Sequence, residues 1–167
     1  MGIVQGLLSE FKHETGITRK MLERVPDGKD DWAPHEKSMK LAALANHVAE
    51  LNGWVSVVIS RPSLDFGAGE YIPIKPANAA ERLKIFDEHV SKSISLLEST
   101  EAEELDAMWS LKNGEMVLFT APKKVALRGL VFNHIVHHRA QLGVYLRLLD
   151  IPVPSTYGPS ADEGIPK

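Results

Sequence analysis

From Val125 to Leu149 the chain keeps a single helical period with no proline inside it, which makes this stretch a long core-facing helix. At about 100° per residue with His134 at zero, His138 falls about 40° away, in line with Leu127, Val131, Gln141, Tyr145 and Leu149. Two imidazoles one turn apart on an inward face can share a metal ion. They can equally be core histidines, each satisfied by a hydrogen bond. His137 points about 60° to the other side and Arg139 about 140° away. His137 therefore reads as an orienting neighbour or a core hydrogen-bond donor, and Arg139 as a structural ion-pair or interface residue.

Three further stretches carry the same period. Ile3 to Val25 repeats Val4, Leu7, Leu8, Phe11, Thr18, Met21, Leu22 and Val25, with His13 on the solvent side, and Pro26 to Gly28 ends it. A second helix is predicted from Met39 to Ser60, capped by Ser38 and closed by Arg61 and Pro62. On it His47 lies within about 80° of Leu44, Leu51, Trp54, Val55 and Val58, on an inward stripe. Glu50 sits about 60° aside, either a solvated carboxylate at the helix edge or a group that reaches the same site. A third helix opens at Asn78, with Glu81 completing a capping box, and runs to Ser99 on Leu83, Phe86, Val90, Ile94 and Leu97. His89 lies off that stripe and reads as exposed.

Between these helices the chain loses its period. Ser63 to Pro76 is rich in glycine and proline, a crossover loop and candidate site rim whose Asp65, Glu70 and Tyr71 fit no motif. Asn113 and Gly114 suit the centre of a type I′ turn joining Met108–Leu111 to Met116–Phe119; a loop bridging two helices is the alternative. Thr120 is placed to cap the last helix. After Asp150 a proline-rich tail carries Ile151, Val153 and Tyr157, which suit packing back across the helices, with the site mouth as one place for it.

Composition narrows the function. The 167 residues fit one domain spanning 1–167, with 152–167 as its tail. A net charge of −3 gives no footprint for nucleic acid or an anionic membrane, and no apolar run approaches a membrane span. The N-terminus has no secretory pattern, so a cytoplasmic protein is expected. There is no cysteine, which removes disulfides, thiolate metal sites and a protein-borne thiol nucleophile.

Together the helices predict an all-α four-helix bundle, a fold that builds metal sites from side chains on facing helices. His47, His134 and His138 would supply three neutral imidazoles to one divalent ion. Three protein ligands leave a coordination position open, as in catalytic rather than structural zinc sites. Glu50 and Gln141 are candidates to orient the ligands or handle a proton. Tyr145 would line the pocket or pack in the core.

Several of these residues resemble the DinB/YfiT family of metal-dependent proteins over nearly the whole chain. The likeness lies in Trp32, Pro34, Lys37 and Ser38 ahead of the helix bearing His47, in the H-x-x-x-H-R-x-Q segment His134–Gln141, and in the tail YLRLLDIPVPSTYGPSADE. The chain has Ala140 where the family commonly has glycine, and Asp150 where many members have glycine; neither position is a proposed ligand. The resemblance implies an up-down-down-up bundle, often a homodimer, with zinc, nickel, iron or manganese held at positions matching His47, His134 and His138. It further implies transfer of a low-molecular-weight thiol to an electrophile through a metal-bound thiolate. A metal-dependent hydrolase using metal-bound water and a non-catalytic metal-binding stress-response module are the rival readings.

Overall fold

In the computed structural model, which describes residues 2–164, four helical stretches pack against a three-stranded sheet. The first is α1 (Ile3–Leu22), which buries Leu7, Leu8, Phe11, Ile17, Thr18, Met21 and Leu22 along one face as its period predicts. His13 is exposed on the other face.

The second stretch is broken where a continuous helix was expected. It comprises α2 (Leu41–Glu50), a 3₁₀ turn at Leu51–Gly53 and α3 (Trp54–Ser60). Ser38 makes no cap; Lys40 holds that position without a side-chain bond. The break lies where the His89 ring of α4 (Ala79–Ser99) packs on Gly53, so closely that a Cβ there would stand 3.0 Å from His89 Nδ1. His89 is accordingly half-buried rather than exposed. The predicted cap of α4 is present: Asn78 Oδ1 accepts from Glu81 N at 2.9 Å, and Glu81 Oε2 from Ala77 N at 2.6 Å.

The all-α class is corrected by the sheet. Ser63–Asp65 forms β1, parallel to β2 (Met108–Asn113), which pairs antiparallel with β3 (Met116–Pro122) in the order β1-β2-β3. A three-residue strand is too short to display alternation, and its partner lies far along the chain, so no local pattern announced it. The hairpin turns on Gly114 and Glu115 rather than on Asn113 and Gly114. Gly114 alone of the two has a positive φ, 62°, which fits a II′ rather than a I′ turn. Asp65 Oδ1 ties the crossover loop to this turn by accepting from Gly67 N and Gly114 N, both at 2.8 Å. Thr120 lies within β3, where its hydroxyl meets Ser110 Oγ at 2.8 Å, instead of capping a helix.

The last helical stretch is also subdivided: α5 (Lys123–Ala126), a π-helical turn at Leu127–Phe132, and α6 (Asn133–Leu148). Two apolar clusters result. One joins Phe11, Trp54, Val58, Trp109, Val131 and Ile135; the other joins Met21, Leu44, Val48, Phe86, Leu142 and Tyr145. On α6, His134 stands just before Ile135 of the first cluster, and His138 stands between Ile135 and Leu142 of the second. No described helix is long and apolar enough to cross a membrane.

Beyond Asp150, in a left-handed conformation at φ 57°, the tail packs against α1 and the Arg139 side of α6. Its described residues do not cover the three histidines. The loop before α4 lies there instead, and residues 165–167 of the expected tail lie outside the described residues.

Candidate metal centre

His47 from α2 and His134 and His138 from α6 meet, each offering one nitrogen within 4.8 Å of the others. The meeting atoms are the Nε2 nitrogens: His134 to His138 is 2.9 Å and His134 to His47 is 3.4 Å. Nitrogens bound about 2.0–2.1 Å from one ion in a tetrahedral array stand about 3.3 Å apart, so the group has the span of a single-ion site.

The opposite side of each ring fixes its tautomer. His47 Nδ1 donates to Glu50 Oε1 at 2.7 Å, His134 Nδ1 to the Leu130 carbonyl at 3.3 Å, and His138 Nδ1 to Gln141 Oε1 at 2.7 Å. With each Nδ1 carrying its hydrogen, all three Nε2 atoms present lone pairs to one another. Such a cluster is repulsive by itself and favourable around a cation, which is the arrangement of metal-ligating histidines held by outer acceptors. The residues therefore form a group that could hold a metal ion.

Electrostatics disfavour protonation of the two candidate ligands on α6. Burial, reinforced by His138 and His47, pushes His134 down to about 4. Burial also lowers His138, against the raising effect of its bond to Gln141. Trp54 closes one side of the group, its ring centroid 6.2 Å from that of His134.

Of the two readings open for Glu50, the structure shows the one that reaches the histidine group and not the solvated helix edge. Glu50 is 5% exposed, and its carboxylate also accepts from the Tyr71 hydroxyl and, at 3.1 Å, from Ile74 N. The crossover loop is thus fastened to the candidate ligand His47 through Glu50. Burial, followed by the bond to Glu50, raises the Tyr71 phenol well above its ordinary value and keeps it protonated. The sequence places Tyr71 in the candidate rim but does not disclose its bond to Glu50, and it gives no sign of the Leu130 carbonyl. Tyr71 sits in a segment without periodicity, and a backbone acceptor inside a π-helical turn leaves no residue signature. Such turns recur at functional sites.

The remaining candidates lie elsewhere. His137 is exposed, with its ring against that of His138 at 4.7 Å, so it is neither a core donor nor an outer partner through a hydrogen bond. Tyr145 packs edge-on against Trp32 and donates to the Met39 carbonyl at 3.1 Å, which makes it a core tyrosine. Arg139 is buried and ion-paired to Glu14 at 2.7 Å, facing away from the histidines as its projection predicts.

Comparison with known proteins agrees with this architecture. The DinB family model matches residues 2–166. A DinB-like protein of Bacillus subtilis superposes with a TM-score of 0.68 at 19% identity, covering 91% of this chain and 99% of that one. A DinB-like protein of Bacillus cereus gives 0.66 at 21% identity, covering 92% and 97%. At these identities the likeness speaks for the fold alone. No curated protein matches the chain.

Proposed function

The chain belongs to the DinB family, and from that premise and the geometry of its three histidines we propose a metal-dependent enzyme that transfers a low-molecular-weight thiol to an electrophile. The observation that supports this reading is the convergence of three Nε2 atoms, each ring held from behind by an acceptor at Nδ1. A divalent cation held by His47, His134 and His138 would supply Lewis acidity, lowering the pKa of a thiol at an open position so that thiolate is available near neutral pH. The chain has no cysteine of its own, which is compatible with a cosubstrate supplying the sulfur.

The protein's residues divide the remaining work. Glu50 Oε1 holds the His47 Nδ1 proton and keeps Nε2 directed at the centre, while Gln141 Oε1 does the same for His138. Tyr71 keeps its own proton at the hydroxyl and delivers that hydrogen bond to Glu50, fixing the carboxylate. Trp54 shields the His134 side from water.

The reading extends to a homodimer through the outer face of α6. Val144 and Leu148 are 58% and 57% exposed there, beside an apolar cavity of about 460 Å³ that Ala140, Gly143 and Val153 also line.

Cobalt substitution followed by titration with several low-molecular-weight thiols tests the transferase reading. A sulfur-to-cobalt charge-transfer band appearing with one of them supports it. Cobalt uptake with no response to any thiol would contradict it and leave hydrolysis through activated water, or binding without turnover.

A further inference from the structure

Arg82 of α4 is a buried cation, 2% exposed, with no ion pair among the described residues. Its Nε donates to Asn46 Oδ1 at 2.7 Å, and its Nη1 is buried without a partner. Burial lowers its pKa, while Asp30 and Asp27 act on it through space in the opposite direction. A guanidinium can only donate, so the Asn46 amide must turn Oδ1 toward Arg82, leaving both Nδ2 hydrogens on its other branch. A donor already bound to a cation through its carbonyl is polarised and donates more strongly.

Asn46 immediately precedes the ligand His47. Both line a cavity of about 480 Å³ that also takes in Tyr71 and Ile74, with Lys40 and Lys75 at its rim. That volume suits a small molecule. The acidic groups of the wall are largely engaged: Asp31 pairs with Lys40, and Glu50 serves His47, Tyr71 and Ile74. Asp30 remains, as does Lys75, neither ion-paired among the described residues.

We propose that this cavity binds a small molecule bearing a carboxylate, which accepts from Asn46 Nδ2 and faces Lys75 while the rest of the ligand lies against His47. The proposal rests on the metal reading only for its place beside a reaction centre; the binding is measured without turnover.

The test is calorimetric titration of the full chain with succinate, glutarate and adipate, each against its diamide, with metal content measured alongside. At least one dicarboxylate should saturate at one per chain, and its diamide should bind at least about ten-fold more weakly. Asn46→Asp keeps an acceptor for Arg82 but turns an oxygen into the cavity, so it should weaken that binding by about ten-fold or more with metal content unchanged. Lys75→Ala, at an exposed position where folding is not at stake, should weaken it several-fold. No saturation by any of the three acids, or unchanged binding in both variants, overturns the proposal. Carboxylate binding by a chain that takes up no metal would leave it standing and defeat the metal reading instead.

Discussion

Glu50 Oε1 lies 2.7 Å from His47 Nδ1, within the last turn of α2, and accepts also from the Tyr71 hydroxyl, while Oε2 of the same carboxylate accepts from the Ile74 N–H. One buried acid thus joins a candidate metal ligand to the loop that covers it.

Breaking that join should loosen the metal before it loosens the fold. Outer partners of ligating histidines are typically worth about 10–100-fold in metal affinity. Glu50→Gln should fall in that range in competition with a chelator, and Tyr71→Phe should lose less, because His47 keeps its acceptor. Unchanged affinity in Glu50→Gln would remove Glu50 from the site.

Acid should weaken the metal-free protein in a defined window. His134 is held at about 4 by burial and by His138 and His47, against an ordinary value of 6.5. As pH falls between these values the unfolded chain takes up a proton that the folded chain refuses, so stability is lost downward through the window and is fully present above it. Urea unfolding of metal-free protein across this range should show the decline, and His134→Ala should flatten it. An equal slope in the variant would contradict the assignment.

How far the sequence discloses this site depends on whether a residue's partners share its helix. The inward aim of His47, His134 and His138 follows from helical period alone, because each lies on a stripe whose neighbours are apolar. The burial of Glu50 does not follow, since two of its three partners come from a loop whose position is set by β1 pairing with a strand more than forty residues away. The broken second helix likewise meets contacts from outside its own sequence, the His89 ring packed on Gly53 and Ser93 Oγ donating to the Asn52 carbonyl at 2.8 Å. The tail's apolar residues correctly announce packing, but its course is set by Tyr157, which donates to Glu14 at 2.8 Å and lies over the Arg139 guanidinium at 5.3 Å.

That Arg139–Glu14 pair carries a stability prediction. With Arg139 2% exposed, removing its carboxylate partner leaves a buried charge uncompensated, a loss of about 3–5 kcal/mol. Glu14→Ala should lower the urea midpoint accordingly while the folded fraction binds metal normally. A change under about 0.5 kcal/mol, the level of ordinary surface substitutions, would show that water reaches the guanidinium.

Asp150 offers the opposite sign. Its φ of 57° ends α6 in the left-handed region, while Ile151 N returns to the Leu146 carbonyl at 2.9 Å. Asp150→Gly should raise stability by about 0.5–1 kcal/mol, the steric cost of a left-handed Cβ less the greater chain entropy that glycine loses on folding. A lower melting temperature would mean that the aspartate side chain contributes more than its strain costs.

The proposed dimer is tested by sedimentation at micromolar concentration. The parent should sediment as a dimer and Val144→Glu as a monomer, because a charge would then sit at the centre of the exposed apolar face of α6. A monomeric parent would contradict the dimer without touching the metal site.

The central claim is a single-ion site at three named imidazoles, and metal analysis of the untagged protein beside four alanine variants tests it most directly. One divalent ion per chain should be found in the parent and in His137→Ala, and lost from His47→Ala, His134→Ala and His138→Ala while each remains folded. Retention of stoichiometric metal by any of those three, or no uptake by the parent, would contradict the site.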